Sequence, residues 1–335
     1  MSHKVDLVCP AGSFPALRAA VDNGADAVYM GFRDATNARN FPGLNFDARS
    51  AHRGIEYARA KGTKVLLALN TYPQPGGWGE WTAAVDRAAE MGVDALILAD
   101  LGLLDYAARR HPELRLHLSV QGSATSYEAI NLYVEQFGIQ RVVLPRVLSM
   151  PQVKRVVENI DAEVEVFGFG SLCVMVEGRC HLSSYVTGES PNTCGACSPA
   201  KSVRWEEDTD GRRSRLNGVL IDVYRPGEAA GYPTLCKGRF DVGGEVGYAL
   251  ESPTSLSILD RMPELFEVGV RAIKVEGRQR SPAYVGQVTH VLRQALDACQ
   301  ADPAHFSPRG EWVGELDRVA EGQTHTLGAL DRAWQ

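Results

Sequence analysis

Short apolar runs recur along this chain, and each follows a glycine and a brief polar step. A glycine suits the left-handed residue that ends a helix, and an uninterrupted apolar run is typical of a strand buried on both faces. The pattern therefore predicts repeated helix–turn–strand units. Five clear examples are residues 23–30, 61–68, 91–98, 137–144 and 268–275.

Eight such strands are predicted, and helical periodicity separates most of them. The strands are expected at 5–9, 27–31, 64–69, 95–99, 114–120, 141–145, 163–169 and 272–276. Helices are expected at 14–23, 80–91, 126–136 and 150–159. Alternation of this kind indicates an α/β fold with a parallel sheet, and eight units favour a closed (β/α)8 TIM-like barrel over an open doubly wound sheet.

The regular alternation stops between the seventh and eighth strands. This interval is too long for a simple crossover and contains hairpin-like sequence at 239–248. We interpret it as a cysteine-bearing insertion on the face where barrel enzymes carry their chemistry. The predicted division is residues 1–169 for the first seven units, 170–254 for the insertion, 255–297 for the last unit and 298–335 for a tail packed on the barrel.

Composition and charge restrict the partners of the chain. The 335 residues are 44% hydrophobic and 23% charged, with a formal net charge of −6. That balance argues against a large phosphate-binding face, so no nucleic acid is expected, although a local basic pocket is compatible with it. The N-terminus lacks the apolar core of a signal peptide, and no stretch has the length of a membrane span. We therefore expect a cytoplasmic protein whose seven cysteines are reduced.

Polar side chains follow several predicted strands at the end where barrel active sites lie. Arginine and lysine dominate the set, which suits a small anionic ligand such as a carboxylate. An alternative is that Lys274 and Glu276 pair with each other inside the barrel. Asp100 is expected to cap a helix rather than to act as a catalytic acid. The candidate binding residues are Arg39, Gln121, Arg146, Lys274, Glu276, Arg278 and Arg280.

Four cysteines lie in or beside the insertion at dispersed positions. They are Cys173, Cys180, Cys197 and Cys236. Structural zinc usually draws its ligands from two tight pairs, whereas only Cys194 and Cys197 form such a pair here. Dispersed thiolates fit a four-iron cluster better, but zinc and unliganded thiols remain alternatives. Cys9 and Cys299 are expected in the core or at strand ends. Neither a Ser-His-Asp arrangement nor an HExxH motif is visible, so the catalytic residues are unknown.

The segment 165–183 resembles the signature of the collagenase-like peptidase family of unknown catalytic type. It matches at Glu165, Phe167, Gly170, Ser171, Cys173, Gly178, Cys180 and Ser183. Further stretches resemble the ubiquinone-biosynthesis branch of that family, at 9–12, 36–39, 144–149, 185–193, 195–200, 231–239 and 274–284. The resemblance implies a barrel fold and a [4Fe–4S] cluster. By position its ligands would be Cys173, Cys180, Cys197 and Cys236, with Cys194 a bystander.

The resemblance also implies a function. Members of this branch work as a heterodimer with a paralogous iron–sulfur protein resembling UbiV, and they hydroxylate the ring of ubiquinone precursors without dioxygen. A polyprenylated substrate would need a lipid-carrier accessory protein. Other members hydroxylate transfer or ribosomal RNA, and in some the dicarboxylate prephenate is implicated as oxygen donor. The alternatives are an RNA-base hydroxylase, a U-type peptidase and a non-catalytic cluster-bearing partner.

Overall fold

A computed structural model describes residues 4–190, 193, 197–209 and 211–332. Cys194 lies outside these residues. The strands of the described chain are β1 Asp6–Pro10, β2 Ala27–Met30, β3 Lys64–Leu69, β4 Ala95–Leu98, β5 Leu116–Leu118, β6 Arg141–Val143, β7 Glu163–Ser171, β8 Val203–Asp208, β9 Gly211–Leu216, β10 Val219–Tyr224, β11 Arg239–Val242, β12 Glu245–Tyr248, β13 Ser255–Ser257, β14 Ala272–Val275 and β15 His325–Thr326.

Eight of these strands close into a parallel barrel. Strands β1 to β7 pair in chain order, and β14 pairs with both β1 and β7. The predicted (β/α)8 barrel is confirmed, and each of the eight predicted strands is present with ends that differ by at most two residues.

Helices alternate with the barrel strands as the periodicity predicts. They are α1 Phe14–Asp22, α2 Ala48–Ala60, α3 Trp78–Glu90, α4 Leu101–Arg110, α5 Tyr127–Phe137, α6 Met150–Asn159, α7 His181–Thr187, α8 Met262–Glu267, α9 Pro282–Ala301 and α10 Gly310–Asp317. Asp100 caps α4 by accepting a hydrogen bond of 2.9 Å from the Leu103 amide, as expected. Gly138 closes α5 with a φ of 65°, which is the left-handed conformation that the repeated glycine predicts.

Two small sheets lie between the seventh and eighth barrel strands. Strands β8, β9 and β10 form an antiparallel sheet, and β11 and β12 form the hairpin expected near residue 240. Strand β13 then pairs antiparallel with the end of β7 and parallel with β15. The division of the chain at residues 170, 255 and 298 stays a prediction.

The interior of the barrel has two different sides. Small and apolar side chains fill the part formed mainly by β1 to β4: Val8, Ala27, Tyr29, Leu66, Ala68, Ala95, Ile97 and Ala272. Ionisable side chains occupy the part formed by β5, β6, β7 and β14: His117, Arg141, Glu165 and Lys274, all buried. The outer faces of the strands pack against the helices in one continuous apolar layer that also buries Cys9 and Cys299, as expected. Hydrophobic packing therefore stabilises the barrel while one interior wall stays available for chemistry.

None of the helices in the described ranges combines the length and apolarity needed to cross a lipid bilayer.

Candidate functional site

Lys274 lies inside the barrel on β14 and pairs with Glu165 of β7. The two atoms Lys274 Nζ and Glu165 Oε1 are 2.7 Å apart, and both side chains are buried. The predicted alternative, a pair between Lys274 and Glu276, is wrong. Same-face residues of one strand are about 7 Å apart along the chain, whereas neighbouring strands lie about 4.8 Å apart, so the next strand supplies the closer carboxylate. Burial lowers the pKa of Lys274, and the Glu165 carboxylate opposes that shift.

The ionisable side chains inside the barrel extend from Glu165 toward the amino-terminal end of the strands. Arg141 Nη1 lies 3.4 Å from a Glu165 oxygen, while its other nitrogens bind Asp6 at 2.8 Å and Glu163 at 2.7 Å. His117 lies beside them, and burial together with the charges of Arg141 and three other cations lowers its pKa well below the usual value. These side chains form one interior network rather than isolated pairs.

Arg278 follows β14 and is a buried cation with little negative charge nearby to balance it. Its Nη1 donates a hydrogen bond of 2.7 Å to Oδ1 of Asn37, and its guanidinium lies 5.7 Å from the centre of the Tyr29 ring. In the described chain no carboxylate lies within ion-pair distance of it. Burial lowers its pKa to about 10. Burying a charge without a counter-charge costs roughly several kcal/mol of free energy, so an anionic ligand is favoured at this position.

Two glycines make room for Arg278 at the mouth of the barrel. A Cβ on Gly12, the last residue of the Cys-Pro-Ala-Gly stretch, would lie 1.7 Å from the Arg278 carbonyl oxygen. A Cβ on Gly31 would lie 2.7 Å from Arg278 Nη1 and 2.5 Å from Asn37. Both contacts are closer than side-chain atoms tolerate, so the loops after β1 and β2 are shaped around this arginine.

Arg39 and Arg146 link the barrel mouth to the cysteine segment. The charge of Arg39 acts on both Arg278 and Cys197. The Arg146 side chain is nearly buried, lies 4.3 Å from the centre of the Phe167 ring, and binds Glu177 through Nε at 2.6 Å. Its charge also acts on Cys173 and Cys197. The predicted cation cluster and the predicted thiol cluster are therefore neighbours.

Three further predicted residues occupy different positions around this mouth. Gln121 is buried after β5, and its carbonyl oxygen accepts a hydrogen bond from the Tyr72 hydroxyl. Glu276 lies at the end of β14, where its carboxylate is 3.4 Å from the Ser171 amide. Arg280 is exposed and lies over the Tyr284 ring at 5.2 Å, on the side of α9. The structure thus places Arg280 farther toward the surface than Arg278.

Electrostatic interactions connect the four candidate thiols. Cys197 interacts with each of the other three, and Cys236 also interacts with Cys180. Burial raises the pKa of Cys173 to about 12 and that of Cys236 to about 11. Burial within the surrounding protein also raises the pKa of Cys197, although its side chain is exposed to solvent.

The donor set fits a thiolate-bound cluster in its chemistry. Four cysteines supply the ligands that a [4Fe–4S] cluster uses. Burial raises the pKa of Cys197, and the positive charges of Arg39 and Arg146 oppose part of that rise. As they stand, no three His, Cys, Asp or Glu side chains in the described ranges come close enough to hold a metal ion. The ligand role of the thiols stays a prediction.

Sequence reasoning did not assign a site role to Glu165, Asn37 or Tyr29. Glu165 gave a usable signal, because it is a carboxylate between two valines inside a strand that is predicted to be buried. Asn37 lies in the Thr36–Arg39 stretch, but nothing local shows that its amide meets Arg278. Tyr29 reads as an ordinary strand aromatic, whereas the structure places Lys274 Nζ 3.9 Å from the centre of its ring.

Comparison with known proteins now places the chain in a family. The model of peptidase family U32 matches residues 12–330. The chain belongs to peptidase family U32. This confirms the resemblance to the collagenase-like peptidases.

Relatives in the U32 family carry two kinds of name. The chain is 30% identical to tRNA hydroxylation protein P1 of Bacillus subtilis (strain 168), over 97% of this chain and 71% of that protein. It is 31% identical to tRNA hydroxylation protein P of Escherichia coli (strain K12), over 89% and 69%. It is 28% identical to a collagenase of Porphyromonas gingivalis (strain ATCC BAA-308 / W83), over 94% and 70%. These relatives support an enzymatic, hydroxylation-related role within the U32 family.

Proposed function

We propose that this U32 protein is the iron–sulfur component of an oxygen-independent hydroxylase acting on the ring of ubiquinone precursors. The oxygen would come from a small dicarboxylate donor such as prephenate. One observation carries the proposal: the buried guanidinium of Arg278 has no carboxylate partner in the described chain. The charge of Arg39 acts on both Arg278 and the candidate thiol Cys197. The resemblance to the ubiquinone-biosynthesis protein UbiU supplies the substrate class.

The donor would bind at Arg278 with help from Arg39 and Lys274. A guanidinium has five N–H donors, and at Arg278 one of them is engaged by Asn37. A carboxylate can accept two of the remaining N–H bonds in parallel, which is the geometry that arginine favours. Binding would also replace the missing counter-charge and raise the pKa of Arg278 toward its usual range. Glu165 would hold the Lys274 ammonium at the inner wall of the same mouth.

The cluster would be held by Cys173, Cys180, Cys197 and Cys236. A bound [4Fe–4S] cluster supplies one-electron redox chemistry beside the donor. Arg146 and Arg39 would hold positive charge between the thiolates and the barrel mouth, where an anionic donor and an anionic cluster would otherwise repel each other. A paralogous partner resembling UbiV would complete the heterodimer, and a lipid-carrier accessory protein would present the polyprenylated ring.

A second candidate is an RNA-base hydroxylase, because two of the relatives are named for tRNA hydroxylation. The formal charge of −6 disfavours extended contact with phosphates. The two candidates share the cluster and the donor site, so only the substrate separates them.

Metal analysis tests the cofactor. Anaerobically purified protein is expected to hold about four irons and four sulfides per chain. Alanine at any of Cys173, Cys180, Cys197 or Cys236 should abolish that content, whereas Cys194→Ala should keep it. Stoichiometric zinc without sulfide would contradict the cluster.

Turnover tests the donor site and the substrate. With the partner present, Arg278→Gln should raise the KM for the dicarboxylate at least tenfold, since one bidentate charge-assisted contact is worth about 1.5–3 kcal/mol. Arg155→Gln, at an exposed helical position, is the matched control. Parallel assays offer a ubiquinone precursor and unmodified tRNA. Hydroxylation of tRNA alone would select the second candidate, and an unchanged KM in Arg278→Gln would refute the donor site.

A further inference from the structure

Lys237 directly follows Cys236 and is a buried lysine outside the barrel. The two residues belong to a short 3-10 turn, Leu235–Lys237, and the Lys237 side chain is only 4% exposed. Its ammonium makes three contacts. Nζ donates to Ser171 Oγ and to the Thr254 carbonyl oxygen, each at 3.2 Å, and it also pairs with the Glu321 carboxylate. All three of its N–H donors therefore have acceptors.

Ser171 connects this contact to the first candidate thiol. It is the last residue of β7 and lies two positions before Cys173. Its hydroxyl donates a hydrogen bond of 3.1 Å to the same Glu321 oxygen that Lys237 contacts. The buried ammonium and the partly buried hydroxyl and carboxylate form one group, which we call the Lys237 cluster: Lys237, Ser171 and Glu321. It joins the turn that carries Cys236 to the strand end that leads into Cys173.

Glu321 is itself held firmly on the barrel. Its amide donates a hydrogen bond of 2.9 Å to Ser255 Oγ on β13. A Cβ on the next residue, Gly322, would lie 2.1 Å from the Pro253 carbonyl oxygen, and its φ of 63° belongs to the left-handed region. Strand β15 then pairs with β13. The carboxylate therefore projects from a fixed segment and can serve as an anchor.

Among the described residues, the turn around Cys236 has few other hydrogen bonds. The Cys236 carbonyl oxygen accepts a hydrogen bond of 3.1 Å from the Glu251 amide, and the Lys237 amide donates within the turn to Thr234. The Cys236 thiol also lies 3.9 Å from Thr234 Oγ1, and the turn contacts helix α7. A three-residue turn with so few hydrogen bonds would open readily without the contacts of the Lys237 ammonium, because local opening follows the number of buried contacts. Removing Glu321 would leave the ammonium buried without a counter-charge, so the lysine and its turn would move toward water.

We propose that Lys237 and Glu321 are positioning residues that hold the Cys236 thiol in place relative to Cys173. The inference rests on the proposed function in one respect only: the bound cluster is the reason why the Cys236 thiol needs a fixed place. A cluster bound by four thiolates requires all four at set separations, and Cys236 is the candidate ligand most distant in sequence from the others.

The first test uses metal-free, reduced protein and the alkylation rate of each cysteine, followed by peptide mass spectrometry. Lys237→Met and Glu321→Gln should each raise the alkylation rate of Cys236 about fivefold or more through local opening, with a smaller change at Cys173. Lys201→Met is the matched control, because Lys201 lies in the same part of the chain but its ion pair with Glu189 is exposed on the lysine side. It should leave the Cys236 rate unchanged.

The double variant Lys237→Met/Glu321→Leu separates positioning from simple stability. Removing both charges should restore the melting temperature that either single variant lowers, because no buried charge is left alone. The Cys236 rate should nevertheless stay high, since the link to Ser171 is still absent. A double variant with the wild-type alkylation rate would overturn the inference.

The second test uses anaerobically reconstituted protein. Lys237→Met should lose iron to a chelator about fivefold faster or more than wild type and Lys201→Met. Folded Lys237→Met and Glu321→Gln with unchanged Cys236 alkylation and unchanged iron loss would refute positioning while leaving the cluster intact. Wild-type protein that holds no iron, with alkylation still raised in the variants, would refute the cluster and leave the positioning role standing.

Discussion

Nζ of Lys274 and Oε1 of Glu165 lie 2.7 Å apart inside the barrel, although 109 positions separate the two residues in the chain. Taking both charges out of water is costly, and hydrophobic replacements of buried ion pairs are often as stable or more stable. Stability alone therefore gives little reason for this pair. Its position at the inner wall of the barrel mouth, beside Tyr29 and below Arg278, agrees with a role in ligand binding.

Replacing one partner of the pair should therefore destabilise the protein more than replacing both. Among the described residues, Lys274→Met leaves the Glu165 carboxylate with Arg141 at 3.4 Å as its one cationic partner, and we expect a loss of about 3–5 kcal/mol in the free energy of unfolding. The double variant Lys274→Met/Glu165→Leu should recover most of that loss but not donor-dependent turnover. Urea unfolding measures the first quantity. The exposed Lys154→Met serves as control, and a double variant less stable than the single one would contradict the argument.

A methyl group at Gly31 should disturb Arg278 specifically. The added Cβ would lie 2.5 Å from Asn37 and 2.7 Å from Arg278 Nη1, so one of these side chains must move. We expect Gly31→Ala to cost about 1–3 kcal/mol of stability. It should also weaken donor binding about tenfold through displacement of the guanidinium.

Gly79→Ala is the matched control for that substitution. Gly79 lies in α3 with no atom within 4 Å of its added Cβ, so alanine there should stabilise the protein by about 0.5–1 kcal/mol. Thermal unfolding and isothermal titration with the dicarboxylate measure both variants. Wild-type donor affinity in Gly31→Ala would show that the guanidinium position is not required.

Asp100 should behave as a helix cap and not as a catalytic acid. Its carboxylate accepts a hydrogen bond of 2.9 Å from the Leu103 amide at the start of α4. Asp100→Ala should therefore cost about 1 kcal/mol, while Asp100→Asn, an equally good cap, should keep both stability and turnover. Thermal unfolding and turnover of the two variants provide the check. Loss of turnover in the stable Asp100→Asn variant would assign Asp100 a chemical role.

The hydrophobic pattern predicts the barrel because each buried strand is visible in the local sequence as an apolar run. Once eight strands are placed, the polar residues that follow them must gather at one end, and this is how Arg39 and Arg278 are found. Charge pairing inside the barrel depends instead on the stagger between strands. Lys274 is level with Phe167, whereas Glu165 is level with Ala272, and that register has no counterpart in the local sequence.

The Lys237 cluster could not be predicted from the sequence, for a second reason. Lys237 and Glu321 are 84 positions apart, and each stands in an irregular segment without periodicity. A lysine in a predicted loop is ordinarily solvated, so no local signal marks this one as buried. Only the return of the C-terminal segment to the barrel, through β13 and β15, brings its counter-charge to it.

His117 is a buried imidazole surrounded by cations. The charged groups that act on it are Arg115, Arg141, Lys274 and Lys64. Arg115 Nε donates to His117 Nε2 at 3.1 Å, so the neutral ring carries its proton on Nδ1, and in the described chain that atom has no hydrogen-bond partner. Burial and these positive charges hold the pKa of His117 well below 6.5.

This histidine should make the fold sensitive to mild acid. The unfolded chain protonates His117 near pH 6.5, while the folded chain does not. The contribution of His117 to the free energy of unfolding is therefore complete above about pH 6.5, and it falls by up to about 1.4 kcal/mol per pH unit below that pH. Between pH 7 and 5.5 wild type should lose about 1 kcal/mol more than His117→Leu, measured by urea unfolding. His52→Asn removes an exposed histidine paired with Glu56 and should keep the wild-type dependence. If His117→Leu and wild type lose stability in parallel over this range, the ring is protonated in the folded barrel and an acidic group must accompany it there.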